Sequence, residues 1–270
     1  MSSAPIDKIP LQKGRYLFGN DPIAYANGRL DYPAGLYERL TDRCGLGPGT
    51  AVFEVGAGTG LATRQLLILG ASPLRAIEPD PRLVAFLQEI IPTSSLEVDQ
   101  TSFEEAVLPA AAFDLGVAAT SFHWVEQSSA LAKVYRSLKP GGWWAMWWTH
   151  FGSGEPDAFQ IAIDHLFADT SQSPSGGGRN GLPFALDQES RLRDLAVAGF
   201  RDAEVAVWRW SLIYDTRRLV DLYSTFSPIQ ALEANMRRKF LCDLARIADE
   251  QFAGRVERPF VAALYTAQRP

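Results

Sequence analysis

Apolar and polar positions along this chain change period repeatedly, and the changes mark out its elements. From Val52 to Val55 apolar and β-branched side chains dominate, three glycines then fall at alternate positions (Gly56, Gly58 and Gly60), and a helical period follows over residues 60–69. A second apolar run, Leu74 to Ile77, ends in Glu78-Pro79-Asp80 and leads to a stripe of Leu83, Phe86, Leu87, Ile90 and Ile91 at helical spacing. Short strands are expected near Leu96–Val98 and over Phe113–Ala119, and Leu131, Val134, Tyr135 and Leu138 mark a helix stopped by Lys139-Pro140-Gly141-Gly142. The run Trp143 to Trp148 is apolar on both faces, as a central parallel strand covered by helices must be. Strand and helix alternate five times, which predicts an α/β fold: a Rossmann-like, doubly wound, mostly parallel sheet with helices on both faces.

The flanks read differently. Residues 1–32 are polar and punctuated by Gly14, Gly19, Pro22 and Gly28, with aromatics recurring at Tyr16, Phe18, Tyr25 and Tyr32. They form either an arm packed on the domain or a lid over a cofactor, with Tyr25 and Arg29 as its working side chains. A helix starts at Pro33, with Leu36, Tyr37 and Leu40 on one face. Beyond residue 150 a helix is expected over Ala158–Phe167, and the Ser171–Gly178 tract has the composition of a flexible surface loop. Helices are expected at 188–198 and 216–250, the second with a seam of Leu232, Met236, Phe240, Leu244 and Ile247. The organisation is then one domain over 1–270: an arm and helix (1–49), a cofactor-binding core (50–150), a helical substrate cap inserted late (151–202 and 214–255), and last strands at 203–213 and 259–268 that complete seven.

Composition narrows the partners. A chain of 270 residues with 47% apolar and 21% charged positions buries a sizeable core without covalent staples. A net charge of −5 supplies no global field for nucleic acid or anionic lipid. Cys44 and Cys242 lie far apart without metal-ligand spacing, so they read as free thiols, and no metal is expected. The opening residues lack the basic start and apolar core of a secretory signal, and no uninterrupted apolar run reaches bilayer length. A cytoplasmic protein with a small-molecule substrate, no nucleic-acid partner and no membrane partner is expected; the sequence does not specify an oligomer.

The glycine loop selects among cofactors. A dinucleotide site wants G-x-G-x-x-G/A, whereas here the third glycine arrives one residue early, at Gly60, and Leu61 takes its place. Glu78 lies 18 residues after Gly60, at the carboxyl end of the second strand, where a carboxylate can accept both hydroxyls of an unphosphorylated ribose.

Motifs stand in order over residues 50–150: Glu54-Val55-Gly56-Ala57-Gly58-Thr59-Gly60, then Ala76-Ile77-Glu78-Pro79-Asp80, then Phe113-Asp114-Leu115 with Phe122-His123-Trp124-Val125, and Leu138-Lys139-Pro140-Gly141-Gly142. Together they resemble a class I S-adenosylmethionine-dependent methyltransferase of the small-molecule type. Tyr25 with Arg29-Leu30-Asp31-Tyr32-Pro33 is similar to the arm of a branch that contains trans-aconitate-type methyltransferases, with Leu30 where that branch usually has proline. The resemblance implies S-adenosyl-L-methionine as cofactor. Gly56, Ala57 and Gly58 would line its methionine portion, Glu78 and Pro79 would sit at its ribose, and Tyr25 and Arg29 would close over it. Ser102 and Phe103 stand where an adenine contact is expected, with Asp99 and Glu104 as rivals. Ala119 and Thr120 would face the sulfonium.

Such an enzyme aligns a nucleophile with the methyl–sulfur axis and excludes water. Trp124, Trp147 and Trp148 are candidates for an apolar pocket wall. A protonated oxygen or nitrogen nucleophile needs a base, whereas a carboxylate does not. His123 follows the fourth strand and His150 the fifth, so both are candidate catalytic residues on the cofactor edge; either could instead only orient the substrate, while His165 sits within a helix as a structural residue. O-, N- or carboxyl-methylation of a small molecule is the reading, against RNA or protein methylation or a cofactor-binding protein of this fold without transfer.

Overall fold

The computed structural model describes residues 8–152, 156–176 and 181–270. Seven strands form one sheet: β1 (Thr50–Val55), β2 (Ala71–Ile77), β3 (Leu96–Asp99), β4 (Phe113–Ala119), β5 (Leu138–Phe151), β6 (Arg201–Asp215) and β7 (Arg255–Gln268). Their order is β3-β2-β1-β4-β5-β7-β6; the first five run parallel, and β7 lies antiparallel between β5 and β6. This is the Rossmann-like, mostly parallel sheet that the alternation predicts. The chain reverses its direction of travel across the sheet at β1, and the register sets the carboxyl ends side by side: Val55 opposite Ile77, Ile77 opposite Asp99, and Ala119 opposite Trp147. A crevice outside that edge is where such sheets bind ligands.

Helices alternate with the strands. The arm contains α1 (Leu11–Gly14) and α2 (Pro22–Gly28), and α3 (Ala34–Cys44) precedes the sheet. Then come α4 (Leu61–Ile68), α5 (Pro81–Ile90), α6 (Gln127–Ser137), α7 (Ala158–Ile163), α8 (Gln188–Val197), α9 (Thr216–Ser224), α10 (Ser227–Gln230) and α11 (Ala234–Phe252). Acidic side chains cap many amino ends, Asp21, Asp80, Glu126, Asp187 and Asp215 among them, and Asp157 closes a full capping box with Gln160.

Neighbouring residues on a strand face opposite layers, and the core obeys that period. Val52 and Trp147 pack with Leu36, Leu40, Leu66 and Leu87 on one face. Phe53, Trp144 and Trp148 pack with Phe122, Leu131, Val134 and Leu195 on the other. A third cluster, Phe159, Ile163, Leu219, Tyr223, Phe240 and Leu244, joins α7, α9 and α11 into a separate cap.

Several boundaries differ from the sequence reading. Strand β5 starts at Leu138 because Lys139–Gly142 bulges out of a pairing that resumes at Leu115 opposite Trp143. The helix over 188–197 is not cap: Leu195 and Phe200 are buried in the sheet's own core with Phe53 and Tyr265. The 216–250 stretch breaks into α9, α10 and α11 where Pro228 starts a new helix, and Met236 is exposed while Phe240, Leu244 and Ile247 are buried. The Ser171–Gly176 part of the expected flexible loop is tied down, with Ile9 N donating to Gln172 O over 3.1 Å and Ser227 Oγ to Ser173 Oγ over 3.0 Å. Gly177 and Gly178 lie outside the described residues. Among the described residues no helix is long and apolar enough to cross a membrane, and no cluster of metal-ligating side chains occurs.

Candidate active site

Each glycine after β1 has its own local role. Gly58 has φ +58°, and a Cβ added there would meet nothing within 4 Å, so its backbone borders open space. Gly60, at φ +82°, is packed: a Cβ would stand 2.4 Å from Leu87 Cδ1. Gly56, Ala57 and Gly58 line a cavity at the carboxyl edge of the sheet, and Gly60 does not.

Glu78 crosses the mouth of this loop. Its Oε2 accepts the Gly58 N–H at 2.9 Å and its Oε1 the Asp80 N–H at 3.0 Å, which leaves a further lone pair on each oxygen of a residue that lines the cavity. Burial pushes its pKa up to about 7, against the pull of those two N–H groups. Glu54 is fully buried on β1 and lines the same cavity. Its Oε2 accepts the Thr63 hydroxyl at 2.6 Å, while Oε1 has no partner among the described residues. Burial, with the neighbouring Glu78 charge adding to it, raises the Glu54 pKa to about 8.

The arm forms the opposite wall. Arg15, Phe18, Tyr25, Arg29, Leu30 and Tyr32 all line the cavity. Arg15 donates to both Glu104 oxygens at 2.5 and 2.8 Å and to the Trp124 carbonyl at 2.6 Å. Arg82 reaches from α5 to the Tyr16 carbonyl at 2.6 Å and to Asn20 Oδ1 at 2.7 Å. Arg29 sits over the Tyr25 and Phe151 rings at 5.0 and 5.2 Å and donates through Nη2 to the Thr225 carbonyl. Its Nε is buried and has no partner among the described residues.

A second and larger chamber, of ≈ 1040 Å³, opens between the arm, the end of β5 and the cap. His123, Trp148, His150, Tyr223, Phe226 and Arg258 are in its wall. The two spaces share Phe18, Tyr25, Arg29, Thr120, Trp124, Thr149 and Phe151. At that junction Thr120 holds a positive φ of 55°, a conformation a β-branched residue keeps only when its surroundings impose it. Its Oγ1 is 2.9 Å from the Tyr32 hydroxyl, and its N–H donates to the Trp147 carbonyl at 2.7 Å. Thr149 Oγ1, also at the junction, is buried and has no partner among the described residues.

The two histidines are not equivalent. Trp148 Nε1 lies 2.9 Å from His123 Nδ1, and because an indole only donates, the proton of His123 is on Nε2. Burial, helped by the Arg29 charge, lowers its pKa to about 3, so the ring stays neutral with its lone pair occupied. A general base needs a free lone pair, which His123 lacks. His150 is held neutral by burial and the Arg258 charge, with a pKa lowered to about 4, and its ring makes no hydrogen bond among the described residues.

Of the residues expected from sequence, Tyr25, Arg29, Gly56, Ala57, Gly58, Glu78, Pro79, Phe103, Ala119 and Thr120 line the first cavity together. Ser102 does not; its hydroxyl turns away and donates to Glu105 Oε2 at 2.9 Å. Neither rival replaces it, since Asp99 pairs with Arg75 at 2.6 Å and Glu104 with Arg15. Trp124 and Trp148 line the chamber, while Trp147 is core against Tyr32 and Tyr37. His165 is outside both spaces. Sequence reasoning missed Arg15, Phe18, Thr149, Tyr223 and Arg258, which no local motif marks, and treated Glu54 only as a motif letter.

Known proteins match this chain in sequence and in fold. Residues 53–146 match the family model of the methyltransferase domain. An uncharacterised methyltransferase of Mycobacterium tuberculosis is 31% identical over 133 residues, which are 48% of this chain and 51% of that protein. An uncharacterised methyltransferase-like protein of Schizosaccharomyces pombe is 28% identical over 133 residues, or 48% of this chain and 50% of its own. The match thus spans about half the length of these relatives. Among solved structures, Haemonchus contortus phosphoethanolamine N-methyltransferase 2, bound to phosphomonomethylethanolamine and S-adenosylhomocysteine, superposes with a TM-score of 0.58 at 14% identity, over 95% of this chain and 60% of that one. The cyclase SpnF superposes with a TM-score of 0.61 at 17% identity, over 99% of both chains. Residues 53–146 thus match a methyltransferase domain, and the chain as a whole shares the fold of these solved structures.

Proposed function

We propose that this chain binds S-adenosylmethionine in the glycine-lined cavity and methylates a small molecule held in the adjoining chamber, by direct in-line displacement. The observation that carries this reading is the junction itself: one space with unpaired groups suited to the cofactor opens onto a second, aromatic-walled space across Thr120 and Thr149. The residues present fit the cofactor. Among the described residues Glu54 Oε1 and Arg29 Nε have no partner; the buried carboxyl oxygen suits an ammonium and the guanidinium nitrogen a carboxylate, together the two ends of an amino acid. The remaining lone pairs of Glu78 suit ribose hydroxyls, and Phe103 with Leu83 and Val125 gives an apolar bed for a base. When bound, the cofactor supplies a methyl group already activated on sulfur.

This chain's own residues then orient the acceptor and keep water out. Phe18, Tyr25, Trp124 and Phe151 wall the junction with rings. Thr149 Oγ1 holds the reacting atom of the acceptor by hydrogen bonding. His150 takes a proton where the acceptor has one to lose, and His123 donates from Nε2 to fix orientation. The acceptor is a small molecule because the chamber lies between arm and cap and the chain's net charge is −5, which suits neither RNA nor DNA.

Methyl transfer from labelled cofactor into a panel of small acids, phenols and amines, read by product mass, tests the proposal. A labelled product is the expected result. Tight S-adenosylhomocysteine binding with no transfer to any acceptor would leave only a binding protein, and no binding at all would sink both.

A further inference from the structure

Arg258 is the most deeply buried cation of the chamber, with 2% of its surface exposed on β7. Asp157 occupies one side of it, taking both of its hydrogen bonds from Nη1, at 2.7 and 2.9 Å. Among the described residues Nε and Nη2 make no hydrogen bond, so a guanidinium edge is left over in the chamber wall.

Other donors stand around that edge. Tyr223 is 3% exposed, lines the chamber and uses its hydroxyl in no hydrogen bond among the described residues. The Phe159 ring ties it to Arg258, lying 6.2 Å from the Tyr223 ring and 5.4 Å from the guanidinium carbon. Gln160 spends its Oε1 on the Asp157 N–H at 3.0 Å, so its amide group presents only Nε2. That nitrogen and His150 Nε2 lie 2.7 and 3.6 Å from the point a Cβ on Gly152 would occupy. Arg258, Tyr223, Gln160 and His150 line the chamber and not the cofactor cavity. Donors left over in the wall of a chamber whose lining also includes the rings of Phe18, Tyr25, Trp124, Trp148, Phe151 and Phe226 call for an oxygen-rich, negatively charged group.

Resting on the methyltransferase reading above, we infer that Arg258, Tyr223 and Gln160 anchor a carboxylate of the acceptor, at a distance from the atom that is methylated. One negative charge suits the site better than two. Among the described lining residues Arg258 is the one arginine not already assigned to the cofactor, and Asp157 already opposes it. A guanidinium edge also matches the two oxygens of a carboxylate in its own plane. The acceptor class is therefore a monocarboxylic acid with an apolar or aromatic body that fills the ring-lined part of the chamber.

The test is calorimetric titration of the whole chain, saturated with S-adenosylhomocysteine so that the first cavity is closed to the probe. Phenylacetate, 3-phenylpropionate and 4-phenylbutyrate are compared with their primary amides and with phenyl phosphate. At least one carboxylate should bind tenfold or more tightly than its amide. Arg258→Gln should remove that preference, and Tyr223→Phe and Gln160→Leu should each weaken the carboxylate severalfold while S-adenosylhomocysteine affinity is kept. The latter two keep the test decisive if Arg258→Gln does not fold. No binding of any carboxylate, equal binding of acid and amide, a preference that survives Arg258→Gln, or tighter binding of phenyl phosphate would each overturn the assignment. Failure of the wild type to bind S-adenosylhomocysteine would instead sink the methyltransferase reading.

Discussion

Trp148 donates its indole N–H to Nδ1 of His123 over 2.9 Å, so that a strand-β5 tryptophan sets the tautomer of a histidine after β4. Nitrogen-15 NMR should find His123 neutral, protonated at Nε2, with no titration above pH ~4. A proton on Nδ1 would disprove the arrangement. In turnover, His150→Ala should cost more than ~100-fold with cofactor affinity kept if His150 is the base, and His123→Ala should cost less.

Glu54 and Glu78 are held partly protonated near neutral pH, with pKa values raised to about 8 and about 7. A cation bound at Glu54 Oε1 favours its charged form, so cofactor binding at pH 7.5 should release protons. Calorimetry in buffers of different ionisation enthalpy measures that release, and Glu54→Gln should abolish most of it. Proton uptake on binding would contradict the placement of the ammonium.

Removing Glu78 should weaken S-adenosylhomocysteine by about 1–3 kcal/mol, roughly five- to 150-fold, through lost hydrogen bonds. An unchanged dissociation constant for Glu78→Ala would remove the ribose assignment.

Gly58 and Gly60 should fail in different ways. A Cβ at Gly58 projects into open space, whereas one at Gly60 drives into Leu87. Gly60→Ala should therefore destabilise by about 1–3 kcal/mol through overpacking and positive φ. Gly58→Ala should show the backbone cost alone, about 1 kcal/mol, with a larger loss in cofactor affinity. Denaturant midpoints and titrations of both variants separate the two.

Buried neutral histidines tie stability to pH. With folded pKa values near 3 and 4, His123 and His150 bind a proton in the unfolded chain below about 6.5 but not in the folded one. Their contribution is therefore lost as pH falls, by about 2 kcal/mol each at pH 5. Glu54 and Glu78 act in the opposite sense, protonating in the folded state first as pH falls, so the wild-type profile hides both. His123→Asn should gain stability relative to wild type between pH 7 and 5 in urea titrations. Parallel profiles would show that His123 is not held neutral.

Local information was enough for much of this protein. Period-2 and period-3.6 patterns identified the strands through Trp148, because burial on a pleated strand or a helix repeats along the chain itself. The run from Glu54 to Gly60, with Glu78 beyond it, marked the cavity at the sheet's carboxyl edge because short-range turn chemistry and a strand-end acid are sequence-local features. The tertiary structure decided what local pattern cannot encode. Leu195 belongs to the sheet's core and not to the cap, because its partners Phe53 and Tyr265 are far away in sequence. Ser102 stands outside the cavity, its hydroxyl bonded to Glu105 in a turn. His123 and His150 became distinguishable only once Trp148 and Arg258 were beside them. Arg258, 101 residues from Asp157, reached the chamber wall only through the pairing of β7 with β6, opposite Leu212, and its bond to Asp157. A side chain's tautomer, charge and unspent hydrogen bonds are properties of what surrounds it in space, and those neighbours come from the fold.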